Sequence, residues 1–207
     1  MQIVKILERT KNRVDITLDS GLSFVLYKGE LRSYKLHEGD NLSEDIYDEI
    51  FGVILPKRAK LRAMNLLKVR PYTEKALRDK LSEGGYPKEI EDIAIEYVKS
   101  YHYIDDLSYA KEYIYTYKDR KNKVKLKADL IRKGVSKALI EQAFEEELGD
   151  DGLSYEKEQI LNFIRKKHYS CENSTYEEKM KLLASLARKG YSVELAKKLL
   201  DITSEYL

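Results

Sequence analysis

Residues 130–136 read LIRKGVS, and the same phrase occurs twice more, as LSEGGYP at residues 81–87 and LARKGYS at residues 186–192. Each copy places glycine where a helix ends, because glycine adopts the left-handed conformation of a helix C-terminus without Cβ strain. Each copy then places proline or serine where the next helix begins. Apolar residues with helical spacing precede and follow all three copies. The sequence therefore predicts a mainly α fold of three tandem three-helix repeats.

The amino-terminal part of the chain has a different pattern. Residues 13–18 read RVDITL, which alternates apolar and polar residues as a half-buried strand does, and residues 19–21 supply a turn before a second apolar stretch. We predict a small β-rich cap and a linking helix over residues 1–56, with Pro56 ending or interrupting that helix. A fragment beginning near Lys57 is expected to stay folded. The three repeats are then predicted over residues 57–104, 105–150 and 151–207.

Two further features of the repeats follow from apolar spacing and turn composition. In the second repeat, Val124, Ala128 and Ile131 are predicted to form the apolar face of a helix that is basic on its other side. The helix after Pro87 is predicted to bury one broad apolar stripe, which contains Ile90, Ile93, Ala94, Tyr97, Val98 and Tyr101.

The acidic stretch 145–151 is the expected flexible joint between the second and third repeats.

Composition and motif searches exclude several classes of protein. The chain has 38 basic and 36 acidic residues, a net charge of +2 that neither requires nor excludes a polyanionic partner. Its apolar runs are far shorter than a membrane span, and its amino terminus does not resemble an export signal, so we expect a cytoplasmic protein without a membrane partner. The three histidines are widely separated, and the phosphate-binding and hydrolase motifs are absent from the sequence. Cys171, near His168, has no orienting group that would make it a nucleophile, so no catalytic residue, metal site or cofactor is predicted.

Basic residues recur in the loop between the first and second helices of every repeat. Such recurrence on stacked repeats predicts a stripe of positive charge that suits a long polyanion. The alternative is that each cluster is simply a solvated surface. The predicted binding residues are Lys68 and Arg70 in the first repeat, Lys118, Arg120, Lys121, Lys123, Lys125, Lys127, Arg132 and Lys133 in the second, and Arg165, Lys166 and Lys167, beside His168, in the third.

Specific stretches give the chain a family resemblance. Residues 73–81, the YIDD sequence at 103–106 with Tyr109 and Ala110, and residues 129–135 resemble the RecX family, regulators of the RecA recombinase, in order and spacing. The resemblance covers roughly residues 59–206. Where the family has a Lys-Gly turn, this chain has Lys121-Asn122, and asparagine also tolerates the left-handed conformation.

The resemblance implies how the protein acts. A member of this family is expected to form tandem three-helix repeats, to bind the groove of RecA–DNA filaments, and to modulate filament growth, ATP hydrolysis and strand exchange in recombination and DNA repair. Inhibition without catalysis is the expected effect, and the chain is expected to be a monomer. The alternative is a protein that binds single- or double-stranded DNA without RecA, because a helix, a glycine turn and a second helix also describe a helix-turn-helix. An enzyme built on helical repeats is the third possibility.

Overall fold

The computed structural model describes residues 1–149, 152–170 and 173–202. These residues form two compact units, Met1–Asp105 and Asp106–Leu207. Among the described helices, none has the length and apolar character needed to cross a membrane. Cys171 lies outside the described residues.

A three-stranded antiparallel sheet opens the first unit. Its strands, β1 (Ile3–Thr10), β2 (Arg13–Leu18) and β3 (Ser23–Tyr27), lie in sequence order. In the centre of the sheet, Ile16 of β2 lies opposite Ile6 on one side and Phe24 on the other. Alternate residues of β2 are buried, as the period of two predicts. This confirms the β-rich amino terminus.

A long helical segment follows the sheet and passes through the predicted boundary at Pro56. After α1 (Lys28–Ser33), α2 (Glu44–Glu49) runs into a π-helical segment (Ile50–Ile54) and then into α3 (Leu55–Leu67) without leaving helical backbone angles. Proline has no N–H and is tolerated in the first turn of a helix. Pro56 therefore changes the hydrogen-bonding register instead of ending the helix.

The first repeat is completed by α4 (Glu74–Ser82) and α5 (Lys88–Ser100). Its buried residues belong to the same apolar cluster as those of the sheet, so Ile16 and Phe24 share a core with Leu77 and Ile95. The cap and the first repeat thus have one core, which revises the expectation that a fragment beginning near Lys57 stays folded. The division into four domains stays a prediction.

Six helices of the second unit are described. They are α6 (Asp106–Tyr117), α7 (Lys123–Arg132) and α8 (Lys137–Leu148) in the second repeat, and α9 (Gly152–Lys166), α10 (Tyr176–Arg188) and α11 (Val193–Ile202) in the third. Each repeat has its own apolar cluster, centred on Ile114 and Leu130 in the second and on Ile164 and Leu186 in the third. The predicted mainly helical fold is confirmed.

The glycine turns of the three repeats have the predicted conformation. Gly85, Gly134 and Gly190 have φ values of 82°, 92° and 87°. In each repeat the residue after glycine donates its N–H to a carbonyl five residues earlier, as Val135 does to Leu130 at 3.1 Å. This is the Schellman arrangement that ends a helix. Asn122, by contrast, is extended (φ −75°, ψ 167°) and caps α7 by accepting from the N–H of Lys125, so the left-handed turn expected there is wrong.

Gly85 also lies close to the sheet. A Cβ atom at this position would lie 2.2 Å from Cγ2 of Val25, and the backbone φ is positive. We therefore expect Gly85→Ala to lower the free energy of unfolding by about 2 kcal/mol, from backbone strain and overpacking together. Chemical denaturation of the full chain measures this. Gly21→Ala is a matched control because Gly21 has a similar φ of 81° but open space around it. An equal loss of unfolding free energy in this variant would show that backbone strain alone acts and that contact with Val25 contributes nothing.

Three predicted apolar residues of α7 lie on the wrong side of the helix. Leu126, Asp129 and Leu130 are its buried residues, whereas the predicted apolar face, Val124, Ala128 and Ile131, is exposed. In α5 and at its C-terminus, Ile93 and Tyr101 are also exposed, although the rest of that stripe is at least partly buried. Apolar spacing predicted the helices correctly but not which of two possible faces packs inward.

Candidate nucleic-acid interface

The first basic cluster lies at the end of α3. Lys68 caps that helix and is exposed, and the guanidinium group of Arg70 lies 4.6 Å from the ring centroid of Tyr72. Between them, Val69 is 82% exposed. Both charges of this loop therefore face solvent, where they can meet an anion.

The second cluster lies in the loop of residues 118–122, whose backbone is held by α9 of the third repeat. The Tyr155 hydroxyl shares its proton between the carbonyl oxygens of Lys118 and Lys121, at 2.7 Å and 2.6 Å. The Gln159 amide donates to the same Lys118 carbonyl at 2.9 Å. Burial raises the pKa of the Tyr155 hydroxyl, so this group remains a donor at physiological pH. We call Tyr155 and Gln159 the loop clamp.

A second set of contacts joins the same loop to the third repeat. The Asn122 amide donates to the carbonyl oxygen of Lys189, next to the Gly190 turn. The N–H of Ser192 donates to Glu156 at 2.6 Å, within the third repeat itself. The second and third repeats are therefore connected through this loop, independently of the predicted joint at residues 145–151, of which Asp150 and Asp151 lie outside the described residues.

One predicted binding residue of the loop points inward. The Lys121 ammonium donates to Asp129 at 2.7 Å and to the Tyr113 hydroxyl at 2.7 Å, and it lies 4.5 Å from the ring centroid of Tyr117. Hydrogen bonding to Asp129 raises the pKa of Lys121, and the same bond lowers the pKa of Asp129. Lys121 thus stabilises the repeat and is not placed to bind an external anion.

The other basic side chains of α7 and its C-cap also divide into those with partners inside the protein and those that are exposed. Arg132 pairs with Asp129, and Lys127 pairs with Glu141 while lying over the ring of Phe144. The Lys133 ammonium lies 5.7 Å and 5.4 Å from the ring centroids of Tyr109 and Tyr113. Lys125 is exposed, and none of the ion pairs in the described residues includes it. Lys127 and Arg132 therefore have internal carboxylate partners that the sequence did not reveal.

The third cluster lies at the C-terminal end of α9. Arg165, Lys166 and Lys167 are exposed, and Arg165 donates to the side chain of Asn162 at 3.3 Å. Lys166 is eleven residues after Tyr155 on the same helix, which corresponds to roughly 16 Å along its axis. The second and third clusters are therefore separated by about three turns of one helix.

The structure leaves a smaller set of outward cations than the sequence predicted. Their shared feature is that, within the described residues, they take part in no ion pair with a carboxylate. This outward set comprises Lys68, Arg70, Lys118, Arg120, Lys123, Lys125, Lys166 and Lys167. The loop clamp and the burial of Asp129 were not predicted from the sequence, although a carboxylate between Leu126 and Leu130 on a helix is the pattern that signals a buried ion pair.

Comparisons with known proteins give the family. Three models of RecX domains match the chain, the first three-helix domain at residues 59–97, the second at 105–143 and the third at 155–200. A regulatory protein RecX from Clostridium botulinum is 32% identical over 209 residues, covering 98% of this chain and 93% of the relative. The chain belongs to the RecX family. RecX proteins from Caldanaerobacter subterraneus and Listeria innocua are 28% and 26% identical, with 98% of this chain covered in each case.

Solved RecX structures have the same fold. A crystal structure of a regulatory protein RecX has a TM-score of 0.62 at 23% identity and covers 97% of this chain and 98% of its own. RecX from Lactobacillus salivarius has a TM-score of 0.59 at 19% identity and covers 70% of this chain and 94% of its own. The RecX matches confirm the resemblance based on residues 73–81, 103–110 and 129–135, and with it the prediction of a regulatory protein that is not an enzyme.

Proposed function

We propose that this RecX protein binds RecA–DNA filaments through its outward cations and inhibits ATP hydrolysis, filament growth and strand exchange by RecA. Membership of a family of regulatory proteins supports the regulatory part. The resemblance to the RecX family, regulators of the RecA recombinase, supports RecA as the partner. The electrostatics of the outward set support a polyanion as one component of the bound surface, because exposed cations without carboxylate partners are the groups that phosphates can neutralise.

The ordered loop at residues 118–122 is the single observation that carries this proposal. Lys118, Arg120 and Lys123 surround a backbone that the loop clamp fixes, so their side chains start from defined positions. A DNA backbone presents phosphates at regular intervals, and cations on a fixed frame can meet them in register. Ion pairing with Asp129 removes Lys121 from this set.

Binding to DNA without RecA is the second candidate function. The helix-turn-helix shape of each repeat favours it, and so does the outward set. The helices after the glycine turns oppose it, because α5 carries the exposed Glu89 in its first turn. In a recognition helix this carboxylate would face phosphates. Filament binding therefore remains the better-supported function.

The test compares the full chain with a variant of the second cluster. We expect the wild-type protein to suppress DNA-dependent ATP hydrolysis by RecA and to hydrolyse no nucleotide by itself. The variant Lys118→Ser, Arg120→Ser, Lys123→Ser should need about tenfold more protein for the same suppression, or 1.4 kcal/mol. Its binding should also depend less on salt, with a slope reduced by up to about 0.9 per lost phosphate contact on duplex DNA or 0.7 on single strands. Loss of the exposed Arg120 should change stability by no more than about 0.5 kcal/mol, and loss of the ring contacts of the half-buried Lys118 and Lys123 by about 0.5–1 kcal/mol each.

A second triple variant controls for total charge. Lys137→Ser, Arg188→Ser, Lys197→Ser removes three exposed cations from α8, α10 and α11, outside the predicted clusters. It should inhibit RecA like the wild type. Equal losses in both variants would show that net charge governs binding. No effect of the wild-type protein on RecA, with DNA binding retained, would leave the second candidate function.

A further inference from the structure

The exposed face of α7 combines apolar and basic groups. Val124 and Ile131 are 53% and 49% exposed, and Ala128 is exposed between them. Positions 124 and 131 are two helical turns apart and 128 lies one turn from each, so the three side chains form one strip along the helix. The underside of the helix, at Leu126 and Leu130, is fully buried.

Cations border this apolar strip on both sides. On one side, Lys125 is exposed and Arg132 has a side chain that is 79% exposed despite its pairing with Asp129. On the other side, Lys127 has a side chain that is 30% exposed and pairs with Glu141, so the uncompensated positive charge lies on the side of Lys125 and Arg132. Val124 also contacts the Gly190 turn, where a Cβ atom would lie 2.9 Å from its Cγ2 atom, so the strip continues to the edge of the third repeat.

This arrangement distinguishes a protein partner from DNA. A surface that meets a phosphate backbone gains from cations at its centre, whereas here the centre of the face is apolar and the cations form its rim. An apolar centre with a charged rim is the usual anatomy of a protein–protein interface. The positive rim requires carboxylates around the complementary apolar residue, because opposite charges align the two surfaces.

We propose that the exposed face of α7 is the docking surface for the protein component of the filament, and that the partner presents there an acidic segment with an apolar side chain that packs on Ile131. This inference rests on the proposed function and deepens it. It separates five of the eight predicted basic residues of the second repeat into two groups. Lys118, Arg120 and Lys123, beside the loop, face the DNA, and Lys125 and Arg132 of α7 face the protein.

The test is the variant Ile131→Lys. Lysine is a good helix former, and a cation in the last turn of a helix is favourable, so the variant should fold like the wild type. We expect its binding to RecA filaments on single-stranded DNA, measured by co-sedimentation, to weaken about tenfold or more, as loss of a central apolar contact does. Its binding to the same DNA without RecA should be unchanged or tighter, because the substitution adds a positive charge.

Met180→Lys is the matched control. Met180 is 43% exposed on α10, and the lysines that flank it, Lys179 and Lys181, pair with Asp201 and Glu177. This variant should bind filaments within about twofold of the wild type. Unchanged or tighter filament binding by Ile131→Lys would overturn the docking surface and favour DNA as its occupant. A wild-type protein that does not bind filaments at all would overturn the proposed function and this surface with it.

Discussion

Removal of residues 1–56 is expected to unfold the first repeat while leaving the second folded. Half of the buried core of the first unit comes from the deleted segment, including Ile3, Ile16, Leu18, Phe24 and Leu26, which are at most 1% exposed. Burial of one such side chain contributes about 1.5–3 kcal/mol, so the deletion removes roughly 10 kcal/mol, comparable with the whole stability of a typical domain. In hydrogen-exchange measurements, amides of α4 and α5 should exchange rapidly in the fragment, whereas those of α6–α8 should stay protected.

Two point variants of the sheet complete this test. Ile16→Ser places a hydroxyl in the centre of the core and should expose α4 and α5 to exchange in the full chain, since Ile16 is fully buried. Leu7→Ser lies in the same sheet at a residue that is 50% exposed and should have little effect. Protection of α4 and α5 in the fragment equal to that in the full chain would show that the first repeat folds without the cap.

The second large effect is expected at Asp129, the buried carboxylate of the second repeat. Its side chain is 10% exposed and accepts from Lys121 at 2.7 Å and from Tyr113 at 3.0 Å. Asp129→Asn keeps the shape of the side chain but leaves the half-buried Lys121 without a counter-charge. We expect the free energy of unfolding to fall by about 3 kcal/mol near neutral pH, measured by denaturation.

The pH dependence of this effect has a defined sign. The pKa of Asp129 is lower in the folded protein than its ordinary value, mainly because Lys121 donates a hydrogen bond to it. The stabilisation is therefore present above the unfolded pKa of about 3.9 and decreases as the pH falls from there through the lower folded pKa. The wild type and Asp129→Asn should thus converge in stability in acid. Glu145→Gln, an exposed carboxylate on α8, is the control and should change stability by no more than about 0.5 kcal/mol. A constant difference between wild type and Asp129→Asn from neutral to acid pH would contradict this account.

The sequence predicts local features of this fold well, because they depend on neighbouring residues. The left-handed glycines at 85, 134 and 190 and the cap at Ser136 each require only the chemistry of one turn. The alternation in residues 13–18 likewise predicts a strand without knowledge of its partner. Repetition of the same turn three times was sufficient to predict the number of repeats.

Features that depend on distant residues could not be predicted in this way. Helix α7 has two faces that could pack inward, and the face that does so includes Asp129. Its burial is possible because Lys121 in the preceding loop pairs with it and the hydroxyl of Tyr113 in the preceding helix donates a hydrogen bond to it. Arg58 is a second case. Its guanidinium group donates to the Val25 carbonyl at 3.2 Å and pairs with Glu30, so this cation of α3 binds the cap. Counting charges along the chain could not distinguish these cations from those that remain outward.

The loop clamp also has an entropic consequence. A surface loop that carries several lysine and arginine residues normally loses backbone freedom when it binds, at about 1–2 kcal/mol per residue fixed. In residues 118–122 that loss has already occurred on folding, because Tyr155 and Gln159 hold two of the carbonyl oxygens. In the proposed complex the loop would therefore bind as a rigid element, and the free energy of its contacts would contribute to affinity with little offset from chain ordering.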